Sequence, residues 1–152
     1  MHKIALSMKE ANKDSNVDYI QLKEKIEKRF PNLHPDSLEF LTTGEYLYQV
    51  HQDNIIDFAP IVVEFSKVVE NELNHSLKNH NIINKKQSLT LGQIYHKFNN
   101  VSIKNWPNIH EFLELVIKLR NGSAHTGKST KSKVNSLRNM LFNDNWLQLI
   151  TN

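Results

Sequence analysis

Leu119-Arg120-Asn121-Gly122-Ser123-Ala124-His125-Thr126-Gly127-Lys128-Ser129-Thr130 satisfies two unrelated phosphate-chemistry patterns at once. From Gly122 to Ser129 it reads G-x-x-x-x-G-K-S, the P-loop pattern. From Arg120 to His125 it reads R-N-x-x-x-H. A P-loop needs a strand leading in, a helix leading out and a parallel sheet to hold both. The Arg/His pattern needs only helices around it. The flanks decide between them.

Upstream, Pro107 suits a first helical position. Ile109, Phe112, Leu113, Val116, Leu119 and Arg120 then recur on one side of a helix. Downstream, Val134, Leu137 and Leu141 predict a helix over 129–142, and Trp146, Leu149 and Ile150 form an apolar tail that packs back. Too few residues follow Ser129 to build several βα units, and Asp144 stands too close to the loop to be a second-strand acid. The P-loop reading therefore fails on its surroundings. The glycines read instead as the C-cap of one helix and the lead into the next.

The rest of the chain is helical as well. Tyr19, Leu22, Ile26 and Phe30 predict a helix over about 17–29, stopped by Pro31. Asp36 with Glu39 reads as a capping box opening a helix to about His51, with Leu38, Leu41, Glu45 and Tyr48 along one stripe. Asp57 caps a third helix, with Pro60 in its first turn. There Ile61, Phe65, Val68 and Glu72 form one line and Val62, Phe65, Val69, Leu73 and Leu77 its neighbour, the broad apolar face of a central helix. Glu70 and Glu72 lie near that face, either solvated at its edge or buried and paired with a cation. Thr90 with Gln93 is a further capping box. The expectation is an all-α fold, a compact antiparallel bundle of five or six helices over 17–152, preceded by a loose tail or linker at 1–16.

Composition narrows the function classes. The chain has 152 residues, no cysteine and a formal net charge of +3. Disulfides and thiolate metal sites are excluded. No apolar run reaches the roughly 18 residues of a membrane helix, and the start has no signal-peptide core, so a cytoplasmic protein without a membrane partner is expected. The mild basicity is compatible with a polyanion, and the densest basic block, 128–133, is either a solvated helix face or part of the site beside it. Seven histidines outside the motif, at 2, 34, 51, 75, 80, 96 and 110, show no ligand pattern and read as surface residues without a metal. Arg29 and His34 repeat the R-x-x-x-x-H spacing, but Pro31 lies between them and the match reads as chance.

With its helical context, Leu119 to His125 resembles the mark of the HEPN domains, an Arg usually followed by a polar residue and then a His a few residues on. The stretches 41–48 and 57–73 are similar in texture, so the resemblance covers roughly 36–142. It implies a compact all-α bundle and a metal-independent endoribonuclease, without a cofactor, in a defence or toxin–antitoxin setting. It further implies a homodimer whose two motifs meet in one cleft, with a cognate antitoxin or neighbouring domain as partner. Carried over, His125 is the general acid or base and Arg120 holds the scissile phosphate. Asn121 orients the His or the phosphate, and Lys128, Lys131 and Lys133 contact RNA. Glu70 or Glu72 is a candidate supporting acid for Arg120. The alternative is a non-catalytic module of the same family, which dimerises or binds a nucleotide or partner.

Overall fold

The computed structural model describes residues 18–54, 56–103, 106, 108–126 and 129–151, with 123–126 described through their backbone only. The expected tail, 1–16, lies outside the described residues, as do Pro107, Gly127 and Lys128. Among the described residues seven α-helices follow in order. They are α1 (Tyr19–Arg29), α2 (Pro35–His51), α3 (Ala59–Asn79), α4 (Leu91–Lys97), α5 (Ile109–Thr126), α6 (Lys131–Arg138) and α7 (Trp146–Thr151). A π-helical turn, Asn139–Asn143, links α6 to α7. The described residues contain no strand, so the fold is an all-α bundle, with a seventh short helix where the sequence shows only an apolar tail.

Local chemistry accounts for several helix starts. The Asp18 carboxylate accepts from the backbone N–H groups of Ile20 and Gln21 at 2.9 and 3.2 Å, capping α1. Thr90 and Gln93 form the reciprocal box that opens α4. The box expected at Asp36 and Glu39 does not form. Pro35 already occupies the first turn of α2, so the helix begins before Asp36 can cap it. Glu39 instead reaches α1, accepting from the Tyr19 hydroxyl at 3.0 Å and pairing with Lys23. With only four glycines in the chain, asparagine takes three left-handed backbone positions, at Asn81, Asn108 and Asn145. The last two immediately precede α5 and α7.

α3 is the central helix and touches α2, α4, α5, α6 and α7. Both of its apolar lines are buried, and a single hydrophobic core joins α1 to α7. α2 comes so close to α3 at Gly44 that an added Cβ would stand 2.8 Å from Cε1 of the fully buried Phe65. The helix predicted over 129–142 begins at Lys131 and gives way to the π turn at Asn139. Its apolar spacing survives that change: Val134, Leu137 and Leu141 are all fully buried. Periodicity alone therefore does not register the π turn. No described helix is long and apolar enough to cross a membrane.

Candidate functional site

α5 carries the motif on a core-facing helix. Ile109, Phe112, Leu113 and Val116 are buried at positions that repeat every three or four residues. Arg120 continues the line of Leu113 and Val116 and is half-buried. Among the described residues no carboxylate oxygen lies within 4.0 Å of its guanidinium. Asn121 is exposed.

The helix runs unbroken to Thr126. Gly122 is therefore inside it, in ordinary helical conformation, and a Cβ there would meet nothing within 4 Å. This corrects the expectation that Gly122 forms a C-cap. The flank builds enough helical hydrogen bonds to carry the glycine through. The same continuity fixes the register of the motif. Five positions along an α-helix separate residues by about 140° around the axis and about 7.5 Å along it. Position 125 falls on the stripe of Glu114, Lys118 and Asn121, all exposed, while position 120 falls on the stripe of Leu113 and Val116. Helical register thus does not bring the two positions to one point within a single chain. The His125 side chain lies outside the described residues.

Beyond α5 the chain is fastened to the start of α3. The Ser129 N–H donates to Asp57 Oδ1 at 2.7 Å, and the Ser129 carbonyl accepts from the Phe58 N–H at 3.0 Å. Asp57 Oδ1 also accepts from the Ala59 N–H at 3.0 Å, so one carboxylate serves both a helix start and the distant loop. Ser129 is buried in this clamp and Gly122 to Thr126 are helix, so the described part of the P-loop pattern is not a phosphate-cradling loop. α6 follows, capped by Thr130, whose Oγ1 accepts from the Lys133 N–H at 3.3 Å. Lys131 and Lys133 occupy its first turn without an accompanying acid, Lys131 half-exposed and Lys133 exposed. Lys128 is outside the described residues.

Neither candidate acid supports Arg120. Glu70 is half-buried and accepts from the Leu91 N–H at 3.2 Å, holding the start of α4. Glu72 is buried, at 2% exposure, and its Oε2 accepts from the Ser37 hydroxyl at 2.7 Å and meets His34 Nδ1 at 3.0 Å. Asn71 Nδ2 donates to Ser37 Oγ at 2.8 Å and extends the network. The two carboxylates are drawn to α2 and α4, which flank α3.

Two histidines read as surface residues belong to this network. The rings of His34 and His75 stack at 3.5 Å between centroids, nearly parallel. Burial lowers the pKa of His75 below its ordinary 6.5, and the neighbouring His34 acts in the same direction. The Thr90–Gln93 cap and the broad α3 face were legible in the sequence; a contact between His34 and His75 had no local signal. The second R-x-x-x-x-H copy is split between unrelated contacts: His34 goes to Glu72 and the Arg29 guanidinium to the Phe142 carbonyl. Among the described residues no group of three or more His, Asp and Glu has the arrangement to hold a metal ion.

No family model, curated protein or solved structure matches the chain.

Proposed function

We propose that the protein is a metal-independent endoribonuclease of the HEPN type that acts on RNA as a homodimer in the cytoplasm, in a defence or toxin–antitoxin setting. The observation that carries the proposal is Arg120, a half-buried residue whose guanidinium has no carboxylate within 4.0 Å among the described residues, on the last two turns of a helix that also bears Asn121 and His125. The two buried acids among the described residues already have partners, Glu45 with Arg138 and Glu72 with His34 and Ser37. A guanidinium without a carboxylate partner among the described residues is suited to an incoming phosphate. Lys131 and Lys133 add to this. The helix dipole disfavours cations in a first turn, and their cost there is relieved by an anion bound near the start of α6.

In this reading a base takes the proton of the RNA 2′-hydroxyl, whose oxygen bonds to the adjacent phosphorus. The P–O5′ bond breaks, a proton passes to O5′, and a 2′,3′-cyclic phosphate remains. His125 moves the proton, and Arg120 holds the non-bridging oxygens as their charge grows. Because helical register separates positions 120 and 125 by about 140°, the active pair takes Arg120 from one chain and His125 from its twofold mate. The test is cleavage of a single-stranded RNA in EDTA, with product ends identified. The proposal expects a cyclic phosphate and loss of cleavage in both Arg120→Ala and His125→Ala. Undiminished cutting by the folded double variant overturns it.

The same separation favours a second reading, a non-catalytic HEPN module that dimerises or binds a nucleotide or partner. It predicts a stable dimer and no cleavage of any RNA.

A further inference from the structure

We propose that a pocket lined by α1, α2, α6 and the π turn binds a small phosphomonoester with an apolar, planar body. The cavity has a volume of about 310 Å³, within the range of small-molecule sites. α5 does not line it, so it is separate from the Arg120 site.

Its charge is unbalanced. Lys25 and Arg29 of α1 and Arg138 of α6 face it, with Glu45 of α2 as the single acid among the described residues. Arg138 already neutralises Glu45, Nε donating to Oε2 at 2.9 Å and Nη2 to Oε1. Gln49 Nε2 gives Oε1 a further hydrogen bond at 3.2 Å. Lys25 and Arg29 have no carboxylate within 4.0 Å among the described residues, which leaves a surplus of two positive charges. A phosphomonoester carries about −1.5 to −2 at neutral pH and matches that surplus. A monocarboxylate leaves about half of it unmet.

Arg29 is positioned for such an anion. One Nη2 N–H goes to the Phe142 carbonyl at 3.0 Å, and the guanidinium lies 5.1 Å from the Phe30 ring centre and 5.3 Å from that of Phe142. Two rings and one carbonyl hold the fork in place, and among the described residues its other N–H groups have no hydrogen-bond partner, so they can meet oxygen. The Arg138 guanidinium lies 5.9 Å from the same Phe142 ring and 3.9 Å from that of Tyr48. Phe142 is thus an aromatic wall between two guanidiniums, and Leu22 and Ile26 supply an aliphatic wall for an apolar body.

The π turn supplies the remaining polar edge. Asn143 Nδ2 donates to Asn139 Oδ1 at 2.8 Å, which leaves Asn139 with donors and Asn143 with an acceptor toward a ligand. π turns are rare and concentrate at functional sites. Here the turn carries Asn139, Phe142 and Asn143, three residues that line the pocket.

Calorimetric titration with phenyl phosphate tests the assignment, with inorganic phosphate and phenol as the comparison probes. One molecule of phenyl phosphate per chain is expected, with Kd of about 1 mM or tighter and both comparison probes at least about tenfold weaker. Arg29→Gln and Lys25→Gln, at exposed positions, should each weaken binding about tenfold while circular dichroism stays unchanged. In the native protein the side-chain amide signals of Asn139 and Asn143 should shift on titration. No binding, inorganic phosphate equal to phenyl phosphate, affinity unchanged in both variants, or signal shifts confined to other residues each overturns the proposal.

Discussion

Replacing each of two helical glycines by alanine should move stability in opposite directions. Gly122 and Gly44 both lie inside helices, α5 and α2, so each substitution gains about 0.5–1 kcal/mol of helix propensity. At Gly122 nothing opposes the gain, since an added Cβ has no neighbour within 4 Å. At Gly44 the Cβ would meet Phe65 at 2.8 Å from Cε1, 3.0 Å from Cδ1 and 3.3 Å from Cζ. Phe65 is fully buried in the core, so overpacking costs about 1–3 kcal/mol. Propensity cancels in the comparison, and Gly122→Ala should be more stable than Gly44→Ala by about 1–3 kcal/mol. Urea unfolding at equilibrium, with similar slopes for the two variants, reads this difference directly. The sign at Gly122 also tests the continuous helix that separates positions 120 and 125. Had Gly122 been a left-handed C-cap, alanine would destabilise by about 1 kcal/mol. A destabilised Gly122→Ala, or a Gly44→Ala that matches it, would refute the reasoning.

Arg138→Met strands the Glu45 carboxylate, which is 6% exposed, and should cost about 3 kcal/mol. That is the low end for a broken buried pair, because the Arg138 side chain keeps 26% of its surface in water; the double variant Glu45→Met with Arg138→Met should recover most of the loss, and urea midpoints that show no recovery contradict the pairing. His75 has a lowered folded pKa, so the unfolded chain binds its proton first as pH falls below the ordinary 6.5. The stability this group contributes is complete above 6.5 and is lost as pH drops through the lowered folded value. His75→Gln should flatten the fall in stability between about pH 7.5 and 5.5, and an unchanged slope would show that His75 does not carry it.

Helices with regular apolar spacing were legible because a helix must bury one stripe, and the two lines of α3 are buried as the sequence implies. The Thr90–Gln93 box was legible because both partners are local. Asp36–Glu39 misled because the proline before it starts the helix first, and Glu39 has better partners twenty and sixteen residues away in Tyr19 and Lys23. Gly122 misled in another way. A glycine near a helix end is ambiguous between a cap and an interior position, and only the length of the following helical stretch decides. The contacts that define the neighbourhood of the site had no sequence signal. Asp57 to Ser129, Glu72 to Ser37 and Arg138 to Glu45 join residues 72, 35 and 93 positions apart. The Arg120–His125 pair was visible as a spacing, whereas its angular separation required knowing that the helix continues past Gly122.

Mixing two inactive variants tests the central claim most directly. Arg120→Ala keeps His125, and His125→Ala keeps Arg120, so a heterodimer of the two restores one complete site if the pair is shared between chains. Random pairing of equal amounts makes about half the dimers mixed, each with one of its two sites intact, or about one quarter of native cleavage. The account predicts that RNA cleavage in EDTA, absent in each variant alone, returns to about that level after co-refolding. Cleavage that stays absent in confirmed mixed dimers would contradict it.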